Sequence, residues 1–273
     1  MDSITTFFDT ISSGQRTLLL MGGLMFFWIL ESILPIVSFR YTKWKHAGPN
    51  LFFTLTTAVV NFAFAYLIVK GSDAAVAGGW GILNWIQLPL WMEILLGLMA
   101  LDLIGAYFIH WTEHKVHWMW KFHVIHHSDE HVDSTTALRH HPGESVFRAI
   151  FTLIAVLVAG APMWLVMLYQ SLSAFLSQFN HSNVKLPEWV NATIGKVIIT
   201  PDMHRVHHHA ELPYTDVNYG NIFAFWDRLF GTYAELDRDK IDYGLDVFDK
   251  RESHLGDLLG LPFDGKRYRH QKD

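Results

Sequence analysis

The residues with the clearest capacity for chemistry are histidines, and their spacing repeats. His110 and His114 stand four apart, His123, His126 and His127 follow after eight residues, and His204, His207 and His208 repeat that second pattern roughly eighty residues later. On a helix, side chains four positions apart share one face, so each box can present two imidazoles to one ion. A lone histidine in an apolar segment is ordinarily a core or surface residue. Here fourteen of the seventeen histidines fall between His110 and His209, and eight of them sit in boxes of only two spacings, which scattered core histidines do not produce. Neutral imidazole is the commonest ligand for zinc, iron and copper, so the boxes predict a metal centre assembled from distant parts of the chain.

The elements that must position these boxes are written in apolar runs. Of 273 residues 51% are hydrophobic and only 17% charged, which is too apolar for an ordinary soluble domain. About twenty apolar residues cross a bilayer. Such runs extend from Thr17 to Val37, interrupted only by Glu31, from Leu51 to Val69, and from Leu88 to Ile109, the last delivering His110 at its end. A fourth, from Val146 to Phe179, carries Gly160-Ala161-Pro162 in its middle; proline removes a backbone hydrogen bond, so the run reads as a helical hairpin, with a single kinked span as the alternative. The stretch Ala74 to Trp85 is glycine-rich and too short to cross, and reads as an interfacial loop. The expected fold is therefore all-α, a polytopic membrane protein of about four spans, one a hairpin, with a cytoplasmic helical cap carrying the boxes. Residues 1–98 form an amino-terminal transmembrane region, 99–235 the domain that carries the chemistry, and 236–273 a cytoplasmic tail to which no chemistry is assigned.

Asp2 and Asp9, with no basic stretch between them, argue against a cleaved leader, so the first span is expected to remain. Arg40, Lys43 and Lys45 follow the first span, Lys115, Lys121, Arg139 and Arg148 follow the third, and only Lys70 lies between the second and third, which places the boxes on the cytoplasmic side. Six tryptophans (Trp80, Trp85, Trp91, Trp111, Trp118 and Trp120) are expected near the membrane interfaces. The chain has no cysteine, which excludes disulfides, thiolate ligands and iron–sulfur clusters. A net charge of −5 without a basic, aromatic-interleaved patch gives no reason to expect nucleic acid.

A thiol-free, nitrogen-rich site suits zinc, copper or non-haem iron, and ligand type alone does not choose. Ligand number narrows the choice: a structural zinc is satisfied by four ligands, whereas eight histidines, with His141 and His181 in reserve, can fill the shells of two metals and leave positions open for a small molecule such as dioxygen. The motifs Asp102–Tyr107 before His110-x3-His114, Trp120-Lys-Phe-His123-x2-His126-His127-Ser128, Arg139-His-His141-Pro142-x-Glu144, Asn180-His181-Ser-Asn183, Pro201-x2-His204-Arg-x-His207-His208, Asn218-Tyr219-Gly220-Asn221 and Trp226–Tyr233 then occur in order. In this ordered set the chain resembles the fatty acid hydroxylase superfamily, also called the sterol desaturase family, of membrane di-iron enzymes, over roughly Met99 to Tyr233. The eight residues between His114 and His123 separate it from acyl desaturases, whose first two boxes lie further apart. Trp111 stands where the family often has arginine, and His117 and His209 lie outside the box pattern.

The resemblance implies two irons bound by His110, His114, His123, His126, His127, His204, His207 and His208, with His181 and then His141 as further ligands and zinc as a substitute metal. His-Pro-Gly at His141 also occurs in haem-binding cytochromes, though Glu144 fits the hydroxylase pattern better. A metal-bound imidazole normally gives its other N–H to a carboxylate, carbonyl or water. Asp102, Asp133, Glu144, Asp202 and Asp227 are the candidate acceptors, with Asn180, Asn183 and Asn218 as orienting amides and His131 and His140 as peripheral. Asp102 is the most telling, because a carboxylate inside an apolar span is costly; snorkelling to an interface is the alternative. The implied activity is hydroxylation of an unactivated lipid C–H bond by dioxygen, with electrons from a separate ferredoxin or cytochrome/reductase-type donor. Desaturation by the same centre and a non-catalytic membrane metal-binding protein are the alternatives.

Overall fold

The computed structural model describes residues 2–245 and 254–264; the remainder of the tail lies outside the described residues. Among the described residues the regular structure is all helical. The helices are α1 (Asp2–Thr10), α2 (Ser13–Ile33), α3 (Lys43–Gly78), α4 (Ile82–Trp85), α5 (Leu90–Asp102), α6 (Ile109–Lys115), α7 (His117–His127), α8 (Pro142–Ala159), α9 (Met163–His181), α10 (Glu188–Thr193), α11 (Pro201–His207), α12 (Phe225–Phe230) and α13 (Leu255–Gly260). Among the described residues, four stretches are long and apolar enough to cross a membrane: Ser13–Ile33, Lys43–Trp85, Leu90–Lys115 and Pro142–Ala159.

The hairpin is present. Gly160 ends α8 in the left-handed conformation at φ 68°, and Pro162 caps α9. A side chain at Gly160 would strike the carbonyl of Trp80, so the turn can be tight only with glycine there. The glycine-rich stretch differs from expectation: α3 continues through Ala74 to Gly78 rather than breaking into a loop, because Ala75 is fully buried and Ser72 donates to the carbonyl of Ala161 at 2.8 Å, giving the last turns a partner. Trp120 is also not at an interface; it is buried in a core with Phe53, Val124, Ile125 and Leu258, which docks α13 of the tail onto α7. The other five tryptophans are exposed.

α3 packs along α8, and α1 and α2 along α9. At Gly23 of α2 any Cβ would fall 2.6 Å from the Gln178 side chain, so the absence of one lets α2 and α9 approach. At the end where α2 finishes and α3 begins, Glu31 is wholly buried. It accepts from Lys43 Nζ at 2.8 Å and from the backbone N–H groups of Ser134 and Asn183 at 3.1 and 3.0 Å, tying a span to two loops of the histidine end. The short helices α7, α10, α11, α12 and α13 gather at that end.

Between α5 and α6 the helix widens into a π-helical segment, Leu103–Phe108. In an unbroken α-helix Asp102 and His110, eight steps apart, would differ in direction by roughly 80°; one residue absorbed without extra rotation brings them within roughly 20°. Both then face the same loop. Asp102 accepts from the backbone N–H groups of Ile222 and Phe223, each at 3.2 Å, and from Trp226 Nε1 at 3.1 Å, and it is fully buried. It does not touch a histidine, contrary to expectation: its work is to hold the loop that does. Asp102→Ala strands three buried donors and is expected to cost on the order of 3 kcal/mol, lowering the melting temperature in detergent, whereas the exposed Leu55→Ala stays within about 0.5 kcal/mol.

Candidate metal centre

α6 carries His110 and His114 on one face, α7 carries His123, His126 and His127, α9 ends on His181, and α11 carries His204, His207 and His208. Their rings converge into two groups. His110, His114, His123, His127 and His207 form one, and His126, His181, His204 and His208 the other; within each, one ligand atom per residue lies within 4.8 Å of every other. All nine are buried. The repeated box has a simple geometry. In each, the histidines four apart (123 and 127, 204 and 208) serve one group and the remaining one (126, 207) serves the other, and the two boxes do so with the groups exchanged.

Five of the outward nitrogens are anchored by the chain. His110 Nδ1 donates to Tyr219 O at 2.9 Å, His207 Nδ1 to Val217 O at 2.7 Å, and His181 Nδ1 to Ser177 O at 2.7 Å. A carbonyl only accepts, so in these three rings Nδ1 carries the proton and Nε2 keeps its lone pair. His123 Nδ1 lies 2.9 Å from Glu144 Oε1, and His114 Nδ1 3.2 Å from Asp216 Oδ1. The carbonyls for His110 and His207 come from one turn, which is itself held: Asp227 accepts from the N–H groups of Tyr219 and Gly220 at 2.8 and 3.0 Å and from Thr232 Oγ1 at 2.8 Å. Asn218, at φ 51°, is pinned by its amide to Met203 O and Ala234 O.

The donor set fits metal ions. Among the described residues, His114, His126, His127, His204, His207 and His208 have eight buried ring nitrogens with no hydrogen-bond partner, although buried polar atoms are nearly always satisfied. His181 Nε2 lies 3.0 Å from both His126 Nε2 and His204 Nε2, and His110 Nε2 3.1 Å from His123 Nε2. Two nitrogens about 2.1 Å from one ion and at right angles stand about 3.0 Å apart, so these separations are those of neighbouring ligands. Burial, and then neighbouring imidazoles, hold His123, His126, His127, His204, His207 and His208 well below the usual histidine pKa. They are neutral at pH 7 and present lone pairs.

Five further expected residues lie elsewhere. His141 is in neither group: it caps α8, its Nδ1 accepting from Gly143 N at 3.0 Å while its Nε2 donates to Leu259 O at 3.3 Å, so both nitrogens are taken by backbone. Asp202 pairs with Arg238 at 2.7 Å and with Asn191, on the outside of α11. Asn180 donates to Asn221 O at 3.3 Å. Asp133 likewise meets Tyr41 and His46 rather than a box histidine, and Asn183 bonds Val37. Glu144 holds His123 and also receives His140 Nδ1 at 2.8 Å and Arg148 Nε at 2.9 Å. Two contributors escape sequence reading. Glu113, fully buried, binds Arg148 Nη2 at 2.6 Å, and Asp216 joins His114 to Lys115. Against the cost of burial, hydrogen bonds from His114 and Lys115 hold the Asp216 carboxyl below the usual range, whereas burial raises Asp227 to about 6. His131 stacks on Tyr41 and His209 accepts from Asp242 N, both outside the groups.

A cavity of about 860 Å³ reaches His110, His126, His181 and His204. It follows one stripe of α9 from His181 to Met163, a rise of roughly 27 Å.

The arrangement is that of an all-helical membrane protein with a paired histidine centre. Residues 94–232, half of the chain, match the profile of the fatty acid hydroxylase family, and the chain belongs to it. Ornithine lipid hydroxylase OlsE of Rhizobium tropici is 29% identical over 147 residues, covering 54% of this chain and 43% of its own length. Alkylglycerol monooxygenase of Danio rerio is 28% identical over 224 residues, covering 77% and 46%, and that of Caenorhabditis elegans 33% identical over 141 residues, covering 51% and 27%. The chain spans less than half the length of these relatives. No solved structure matches it.

The low histidine pKa values set a pH dependence. Below about pH 6.5 the unfolded chain binds protons that the folded, metal-free chain refuses, so folded stability falls as pH drops through that value and continues to fall toward the folded pKa. Metal-free protein is therefore expected to melt lower at pH 5.5 than at pH 7.5, and metal-loaded protein to release its ions over the same range, read by calorimetry and by metal analysis after dialysis.

Proposed function

We propose that this chain is a membrane lipid hydroxylase whose two histidine groups each hold one iron: His110, His114, His123, His127 and His207 the first, His126, His181, His204 and His208 the second. The observation that carries the reading is the convergence of nine buried imidazoles, six of which have ring nitrogens without a partner and five of which bring Nε2 atoms to ligand-to-ligand spacing. The printed activities of the relatives, lipid hydroxylase and monooxygenase, support the same class. When bound, two irons supply the redox chemistry by which O2 becomes one hydroxyl oxygen on the lipid and one water, two electrons and two protons being drawn from outside.

The chain's own residues orient and enclose. Tyr219 O, Val217 O, Ser177 O, Glu144 and Asp216 fix which nitrogen of each ring carries the proton. Arg148 bridges Glu113 and Glu144, setting one guanidinium between two buried carboxyl groups beside His123. The cavity admits an apolar molecule to the histidines while the cap excludes bulk water. Arg40, Lys43 and Lys45 stand at the histidine end and Arg16 and Lys70 at the other, which supports a cytoplasmic position for the centre and the cap. Electrons then arrive from a separate cytoplasmic donor of the ferredoxin or cytochrome type.

Anaerobically purified protein is expected to carry about two irons per chain. Supplied with 18O2 and a reductant, it should add one heavy oxygen to a membrane lipid, found by comparing lipids of cells with and without the gene. His126→Ala should remove the second iron and lower product by at least about a hundredfold. Iron well below two per chain with no oxygen-dependent product would overturn the assignment.

A further inference from the structure

The wall of the cavity is incomplete on one side. α2 and α3 meet where Glu31 binds Lys43 and Trp28 packs on Trp44, and beyond that they splay, α2 following α9 and α3 following α8. Both edges of the gap line the cavity with side chains that also face outward: Leu19 is 45% exposed and Phe62 85%. These edges belong to two helices long and apolar enough to span a membrane, so the opening faces lipid rather than water.

The inside is graded. Near the histidines it is lined by Thr57, which bonds Ser145 at 2.9 Å, by Asn61, by Ser177, whose carbonyl holds His181, and by Arg148. Toward the other end Leu20, Ile68, Val69, Met163 and Met167 line it, with the exposed Ser13, the half-buried Gln170, and Thr17 and Ser171, whose hydroxyls donate to carbonyls of their own helices. Asp9 and Arg16 also line that far end, but both are exposed and keep their water. A hydrocarbon tip pushed against the inner hydroxyls, amide and guanidinium would displace water from groups it cannot satisfy, whereas a polar end satisfies them and leaves its chain among the apolar residues.

We propose that one membrane lipid enters sideways between α2 and α3 and lies polar end innermost, against Thr57, Asn61, Arg148 and Ser177, with its chain running toward Met163. The oxidised carbon is then one close to the polar end. That last consequence rests on the hydroxylase reading; occupancy and orientation do not.

The test uses the full, metal-loaded chain in phosphatidylcholine nanodiscs and two monoacylglycerol probes, one with a diazirine on the glycerol and one at the methyl end of the chain. After photolysis and peptide mapping, the glycerol probe should label the segments around Thr57–Asn61 and Ser177 roughly tenfold more than Met163–Met167, and the methyl-end probe the reverse. Opposite or equal patterns overturn the orientation, and labelling of neither segment overturns the site. Ala58→Trp with Ala65→Trp, on the exposed edge of α3, should cut labelling roughly tenfold at unchanged iron content, while Leu55→Trp, exposed but outside the cavity, leaves it intact. Undiminished labelling in the double variant overturns the sideways route. Labelling as expected, but without 18O product from any lipid, counts against the hydroxylase reading alone.

Discussion

Everything at the histidine end answers one demand: nine imidazoles are placed beyond the reach of water with their lone pairs facing one another. Neutral rings in that arrangement repel and leave nitrogens unsatisfied, a cost of at least about 1 kcal/mol for each buried group without a partner. A cation removes the cost at the inner nitrogens. At five of the outer ones, on His110, His114, His123, His181 and His207, the chain removes it, through the carbonyls of Val217, Tyr219 and Ser177 and the carboxylates of Glu144 and Asp216. The ligands are thereby oriented by groups that are themselves fixed.

That fixing passes through buried carboxylates at each level. Asp227 gathers the N–H groups of the Tyr219–Gly220 turn, Asp102 those of Ile222 and Phe223, and Glu31 those of Ser134 and Asn183. Asp102 and Glu31 lie in apolar helices, where a charge is costly unless several donors converge on it. Asp102 and Glu31 each join a spanning helix to a loop of the histidine end. The loops of the centre are held to the bundle by backbone hydrogen bonds collected on acids together with burial of Tyr219, Ile222, Phe223 and Trp226 in the apolar core.

The fold class, the spans, the hairpin at Gly160 and the box histidines were legible in the sequence, because apolar run length and helical spacing are local signals. His181 was legible as a further candidate, and Glu144 as a histidine partner. The roles of Asp102 and Asp202 were misread: acidity near a box identifies a constrained carboxylate but not which donors reach it, and that depends on loops more than a hundred residues away for Asp102. The π-helical segment left no periodic trace, since one absorbed residue in an all-apolar run changes no pattern. Glu113 and Asp216 were overlooked for a similar reason: one sits between two box histidines and the other in a loop, and only packing reveals their partners. His141 was misjudged because a helix cap and a ligand both call for the same imidazole.

The exchange of groups within the repeated boxes has a geometric consequence. His126 and His127 are neighbours in the chain and so are His207 and His208, yet each pair divides between the two groups. Successive Cα atoms are 3.8 Å apart whatever the side chains do. Two peptide units, one on α7 and one on α11, therefore tie the two histidine groups together from different directions. Movement of loops or of an occupant in the cavity can part the two groups only as far as the side-chain torsions of these four histidines allow; beyond that a helix must unwind.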